Sequence, residues 1–323
     1  MAVYTHLAAK DLDELVAHYD VGTLTSAKGI AEGVSNSNWL IETTGADAAG
    51  ARFILTMYER RIDYADLPFF LGLLDHLSEH DCPVPRTIHD REGAAYRMID
   101  GKAVALIEFL PGVSVDHPTV DQARSVGEAL ARVHIAAKDF PTQRPNSLGI
   151  MSSAKVLSQC GAEALSGIDP ALPPAITIAH DLAASGPEQL PQSIIHSDLF
   201  PDNVLMIGSN VSGMIDFYFA CSDAMAYDLA VTHAAWAFER GGSTFHEDVG
   251  EALIEGYESV RSLSQEERDA LPVLAQGACL RFVASRAEDW LETPHDALVT
   301  RKDPMDFMRR LETYRSRGGE IFS

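Results

Sequence analysis

His196, Asp198 and Asn203, with Asp216 beyond two short apolar runs, are the residues whose types and spacing could do chemistry. The first three fit H-x-D-x-x-x-x-N, a loop pattern that sets a general base five residues before a metal-binding amide. The chemistry is phosphoryl transfer from ATP, in which charge spreads over phosphate oxygens and the protein mainly positions groups and neutralises charge. Asp198 would accept the proton of the attacking hydroxyl. Asn203 and Asp216 offer two hard oxygen ligands suited to Mg²⁺ bridging the phosphates. His196 reads as a packed residue that orients the loop from beneath, not as a proton carrier. Taken singly, each Asp or Asn would be an ordinary turn or cap residue. It is their joint spacing, between strands, that carries the reading.

Several elements must position these groups. Ile194-Ile195, Val204–Ile207 and Gly213–Ile215 are short apolar strands, the last two joined by the turn residues Gly208-Ser209-Asn210. Upstream, Leu7–Tyr19 has helical spacing, and Trp39–Thr43, Arg52–Tyr58, Ala94–Ile99 and Ala103–Phe109 read as strands of an antiparallel sheet. A helix over Leu67–Leu77 crosses that sheet and ends before Cys82-Pro83-Val84-Pro85. Between two strands lies Gly29–Asn38, containing Gly33, Ser35, Asn36 and Ser37. It reads either as a phosphate-covering turn, whose backbone amides approach anionic oxygens, or as a plain hairpin loop. Glu108-Phe109-Leu110-Pro111-Gly112 is either a hinge, with Glu108 and Leu110 offering backbone groups to an adenine edge, or an ordinary strand-to-helix connection.

Past this point the chain turns helical. Thr119 with Gln122 and Ser264 with Glu267 are capping-box signatures. Val126, Leu130, Val133 and Ala137 form a stripe on which His134 reads as a core histidine. Ala162–Gln192 reads as loops around short helices, Asp228–Phe238 and Val249–Val260 as helices, and Pro272 as the start of another running to Trp290. The expected class is α+β, with an N-terminal nucleotide-binding lobe over 1–108 and a C-terminal helical lobe over 109–323 that carries the catalytic and acceptor sites.

Composition narrows the partners. At 323 residues and 46% hydrophobic content the chain can bury substantial cores. A net charge of −22 disfavours nucleic acid and anionic membranes, which reward clustered Lys and Arg. No run of about 18 apolar residues and no basic-then-apolar leader is present, so a cytoplasmic protein without a membrane span is expected. Four cysteines, Cys82, Cys160, Cys221 and Cys279, include no C-x-x-C pair, which argues against a disulfide framework or zinc site. A monomer and a homodimer both remain open.

The sheet lobe, the Glu108–Gly112 segment, His196-Ser197-Asp198 through Asn203, Ile215-Asp216-Phe217 and Tyr227-Asp228-Leu229-Ala230 together resemble the aminoglycoside phosphotransferase and choline kinase superfamily. That resemblance spans Leu24 to Arg310 and implies a protein-kinase-like two-lobed fold. Gly33–Trp39, Leu55–Arg61, Pro83-Val84-Pro85 and Asp216–Cys221 look most like the bacterial homoserine kinases of this fold. What the resemblance implies is an ATP- and Mg²⁺-dependent kinase making O-phosphohomoserine on the route to threonine. A kinase of another alcohol, such as an aminoglycoside, choline or methylthioribose, is the alternative, and a non-catalytic nucleotide-binding regulatory module the second.

One departure stands out. The superfamily places a phosphate-binding Lys, paired with a helix Glu, where this chain has Thr56, and the helix start at Phe69-Phe70-Leu71 offers no Glu. Losing both together avoids an unpaired buried charge. Arg60 and Arg61 are nearby cations or ordinary surface arginines. A homoserine-like acceptor carries a carboxylate that suits a bidentate Arg. Arg281 and Arg286, inside an apolar helix, are candidates for it or members of structural ion pairs. Asp202 and Tyr218, beside the catalytic groups, are candidates for acceptor contact.

Overall fold

The computed structural model describes residues 7–30, 36–45, 49–59, 62–187, 189–293 and 301–322. The chain divides into two units, Met1–Pro111 and Gly112–Ser323, each taken by itself below.

The first unit opens with α1 (Ala9–Val16), which buries Leu12, Leu15 and Val16. Strands β1 (Leu24–Ile30), β2 (Asn36–Thr43), β3 (Ala51–Tyr58), β4 (Thr87–Ile88), β5 (Arg97–Ile99) and β6 (Lys102–Glu108) form an antiparallel sheet. Its order is β1-β2-β3-β6-β4, with β5 also on β6. Strand periodicity sends Trp39, Ile41, Leu55, Met57, Val104 and Leu106 into one core with α1. Helix α2 (Leu67–Glu79) has Pro68 in its first turn, where a missing N–H is harmless, and is tied to β4 by the Thr87 hydroxyl on the Leu71 carbonyl, 3.2 Å. The strand expected over 94–99 shortens to β5. Its beginning is drawn into a turn in which Asp90 accepts the Glu92 and Ala94 amides at 2.9 and 2.8 Å.

In the second unit, α3 (Val120–Ala136) starts at the Thr119/Gln122 capping box that the spacing predicts. It is followed by α4 (Ile150–Cys160), α5 (Ala162–Ile168) and α6 (Pro174–Ser185). Strand β7 (Gln192–Ile195) pairs with β10 (Cys221–Ala224), and β8 (Val204–Ile207) with β9 (Asn210–Met214). Helices α7 (Met225–Trp236), α8 (Glu247–Val260), α9 (Gln265–Glu292) and α10 (Met305–Ile321) complete the unit.

The expected break at Pro272 is corrected by the structure. Pro272 lies inside α9, which begins at the Ser264/Glu267 box and runs on. A proline favours a helix start, but the buried positions Ala270, Leu271, Ala275, Ala278 and Cys279 on either side keep the helix continuous. On α10, Gly318 leaves room for the Pro272 ring.

Helices α3 and α8 approach closely through glycines. A Cβ on Gly127 would collide with the Leu253 carbonyl, and one on Gly256 with the Arg124 carbonyl. Because backbone offers no flexible end to swing away, Gly256→Ala should destabilise the second unit by about 3 kcal/mol. In thermal unfolding that is a melting point lowered by roughly 5–10 °C. An unchanged melting temperature would show that the two helices can part without cost.

Candidate active site

The loop after β7 turns sharply at Ser197, whose φ of 61° is left-handed and, for a non-glycine residue, costs about 1–2 kcal/mol. A buried carboxylate holds it there. Asp228 of α7 accepts the His196 amide and the Ser197 amide, both at 2.7 Å, and faces His134 Nε2 at 3.0 Å. His134 in turn meets the Tyr257 hydroxyl at 2.8 Å through Nδ1. Asp228 and His134 are fully buried. Burial pushes the Asp228 carboxyl up, but hydrogen bonds and charge from His134, then His196, outweigh it and leave the group below the ordinary range.

His196 takes the modest role expected of it. Its Nδ1 accepts the Asp198 amide at 3.2 Å, so Nε2 carries the proton and donates to the Ile215 carbonyl at 3.0 Å. Burial, only partly countered by Asp228, lowers its pKa and keeps the ring neutral.

Asp198 and its neighbours converge at the end of this turn. The Asn203 side-chain N–H donates to the Asp198 carbonyl at 2.8 Å, which fixes the amide and leaves its oxygen for another partner. The Asn203 carbonyl accepts the Ile215 amide at 3.0 Å, bringing Asp216 alongside. Asp216 is itself left-handed, at φ 67°. From α9, Arg281 donates to the Ser197 carbonyl, stands 3.6 Å from the Asp198 carboxylate, and lies over the Phe282 ring at 4.7 Å.

Burial pushes the Asp198 carboxyl above the ordinary range, against the pull of Arg281, His196 and Lys302. For Asp216, enclosure among protein atoms and then the charges of Asp198 and Asp202 push the carboxyl up to about 7. The residue as a whole is exposed, so solvent at its open side moderates that effect.

Two oxygen donors, Asn203 and Asp216, suit a hard cation that completes its shell from phosphates and water. Among the described residues no cluster of three His, Cys, Asp or Glu forms a cage. The two oxygens alone would leave a divalent ion to complete its shell from other ligands.

Of the other expected site residues, some adjoin this cluster and some lie elsewhere. Asp202 is exposed beside the cluster, and Tyr218 is half-buried in the turn after Asp216. Arg286 is held by the Asp303 carbonyl at 2.9 Å and Asp306 at 3.0 Å, an ion pair of the kind the sequence left open. In the first unit, Asn36 and Ser37 begin β2, with the Ser37 hydroxyl on Glu59 at 2.7 Å. Glu108 closes β6 and meets Arg86 at 3.7 Å, and Leu110 follows, half-buried. Gly33 and Ser35, with Arg60 and Arg61, fall outside the described residues.

A family model described as "Phosphotransferase enzyme family" matches residues 26–263. This chain belongs to the phosphotransferase enzyme family. Within the family it groups with homoserine kinases. That of Methylobacterium radiotolerans is 48% identical over 98% of this chain and 96% of its own length. That of Rhizobium etli is 46% identical over 98% and 97%. Among solved structures, amicoumacin kinase hAmiN in complex with AMP-PNP, Ca²⁺ and Ami superposes over 98% of this chain and 93% of its own, with a TM-score of 0.68 at 14% identity. The likeness is one of fold, and it bears out the protein-kinase-like architecture expected of a sheet unit followed by a helical unit.

Thr56, at which the resemblance implies a lysine in the superfamily, is buried and donates its hydroxyl hydrogen bond to Asn38 at 2.9 Å. On the same sheet, Lys102 of β6 is ion-paired with the buried carboxylate of Glu59. Asp228 and His134, which hold the turn, were not singled out as site residues from the sequence.

The raised Asp216 carboxyl has a consequence for stability without divalent metal. Its folded pKa lies above the unfolded value, so the stability it contributes is fully present below about pH 4 and is lost as pH rises through about 7. Asp216→Asn removes this dependence. The melting temperature of the wild type relative to Asp216→Asn should therefore fall between about pH 5 and pH 8 in chelator. A difference that stays flat, or rises, over that window contradicts the assignment of a raised carboxyl.

Proposed function

We propose that this chain transfers the γ-phosphoryl group of ATP to the side-chain hydroxyl of L-homoserine. The observation that carries the reaction type is the convergence of Asp198, Asn203 and Asp216 on a turn fixed by Asp228. The acceptor reading is supported by relatives at 46–48% identity over nearly full length that are homoserine kinases.

In this reading Asp198 accepts the hydroxyl proton as the acceptor oxygen bonds to the γ-phosphorus. The bond from that phosphorus to the β–γ bridging oxygen breaks, and ADP leaves with the electron pair. Its raised pKa suits a carboxylate asked to hold a proton during the step. Asn203 and Asp216 would hold the metal, taken as Mg²⁺, which would supply neutralisation of phosphate charge. Arg281 positions the turn by anchoring the Ser197 carbonyl and steadies the Asp198 carboxylate.

Residues 1–108 form the nucleotide-binding lobe, with Gly33, Ser35, Asn36 and Ser37 assigned to phosphates and the backbone at Glu108 and Leu110 to adenine. Residues 109–323 carry catalysis and the acceptor, with Asp202 and Tyr218 assigned to acceptor contact. A biosynthetic kinase drawing on ATP belongs in the cytoplasm, and it needs neither nucleic acid nor membrane. Among the described residues no helix is long and apolar enough to cross a membrane.

A coupled ADP-release assay across L-homoserine, choline, kanamycin and methylthioribose tests the acceptor. Homoserine should exceed each of the others by about 100-fold or more in kcat/KM, the discrimination expected when buried polar groups go unpaired with a wrong substrate. Preference for another alcohol would sink the acceptor assignment, and ATP binding without turnover of any would sink the enzyme assignment. In the same assay Asp198→Ala should fold and lose at least about 100-fold in turnover. Near-normal turnover in that variant contradicts its role as base.

A further inference from the structure

An amino-acid acceptor brings a carboxylate as well as an ammonium, and the carboxylate presents the site with an electrostatic problem. If its hydroxyl meets Asp198, a carboxylate a few bonds away must settle beside the acids Asp198, Asp202 and Asp216, the last two of them exposed. Without a cation the ligand's charge would be repelled and partly desolvated at a cost.

Among the described residues, Arg281, Arg286 and Lys302 are cations on the elements around this region. Arg281 is buried, with its guanidinium spent on the Ser197 carbonyl, the Asp198 carboxylate and the Phe282 face. Arg286 is held by Asp303 and Asp306. Lys302, by contrast, is exposed, and among the described residues its ammonium forms no hydrogen bond or ion pair. It lies just before α10, whose Phe307 packs against Phe200 of the catalytic loop at 5.9 Å.

The backbone of Lys302 is fixed on both sides. Arg301 donates to the Thr293 carbonyl at the end of α9 and stacks over Trp290 at 5.4 Å. Asp303 is gripped through its carbonyl by Arg286, and its carboxylate accepts the Met305 amide at 2.9 Å as α10 begins. The rings of Phe200 in the catalytic loop, Phe282 on α9 and Phe307 on α10 pack together, with centroids 4.9, 4.6 and 5.9 Å apart. The start of α10 is thereby set against the catalytic turn, and the lysine side chain is exposed beside it.

Resting on the homoserine-kinase reading, we infer that Lys302 binds the carboxylate of the acceptor, so that it selects an amino-acid alcohol over an uncharged one. Arg281, buried beneath the turn, then serves Asp198, and the exposed ammonium serves the substrate. Asn203 and Asp216 would hold a metal whose charge would serve the phosphates, which leaves the lysine for the acceptor.

Steady-state kinetics of the wild type, Lys302→Met and Lys302→Arg with L-homoserine test this. Loss of one charge-assisted contact predicts a KM for homoserine raised about 10- to 100-fold in Lys302→Met. The KM for ATP should move far less, kcat at saturating homoserine should change little beside the KM, and Lys302→Arg should restore most of the loss. An unchanged homoserine KM overturns the inference. So does a fall confined to kcat, or an equal rise in the KM for ATP, since either would place the ammonium on the phosphates or on Asp198. Failure of Lys302→Met to fold, at an exposed position, would mark a structural role and overturn it as well. A wild type inert on homoserine overturns the parent reading and this inference together, a result the wild-type measurement identifies by itself.

Discussion

A single fully buried carboxylate organises the catalytic half of this protein. Asp228 takes the amides of His196 and Ser197 on its two oxygens and faces His134 with one of them. Removing a charge from water is expensive unless every lone pair finds a donor, and here the donors are supplied by the very turn that must be held. Satisfying the carboxylate and bending the backbone at Ser197 into its left-handed conformation are therefore one event. The bend aims Asp198 out of the turn, lets Asn203 donate to the Asp198 carbonyl, and through the Asn203 carbonyl brings up the strand end that carries Asp216.

The same contact ties chemistry to the helical core. His134 belongs to α3, Asp228 to α7 and Tyr257 to α8, so three helices meet in one buried chain of hydrogen bonds. Tyr257 reaches His134 because α3 and α8 approach closely across Gly127 and Gly256. Trp236 adds a second tie, its indole N–H donating to the Leu199 carbonyl at 3.0 Å. A loop that must keep two left-handed residues in place gains its stiffness from packing far outside itself. The aromatic contacts of Phe200, Phe282 and Phe307 extend this frame to α10 and to the lysine that precedes it.

What could be read in the chain was what depends on near neighbours. The spacing of Asp198, Asn203 and Asp216, the alternation in β2, β3 and β6, and the boxes at Thr119/Gln122 and Ser264/Glu267 are all set within a few residues, and they survive in the structure. What depends on partners far along the chain was not legible. Asp228 lies 32 residues from His196 and 94 from His134, so no local pattern marks it as their acceptor. His134, correctly read as a core residue, hides its role because burial and hydrogen bonding to a remote carboxylate leave no periodic trace. Pro272 misled for the converse reason, a strong local signal overridden by the long apolar stripe of α9. Lys302 sits in a polar stretch whose proximity to the acids arises from the packing of α10 on α9.

Amide hydrogen exchange at His196 and Ser197, measured with turnover in Asp228→Asn, tests most directly that one buried carboxylate sets the catalytic turn. An asparagine keeps the shape but offers only one oxygen and places an N–H donor against the turn's own donors. The account predicts that both amides, protected in the wild type, exchange at least about 100-fold faster in the variant, an opening cost of the size expected for buried donors losing a charged acceptor, and that turnover falls with them. Protected amides with wild-type turnover in Asp228→Asn would show that the turn holds itself, and would contradict the account.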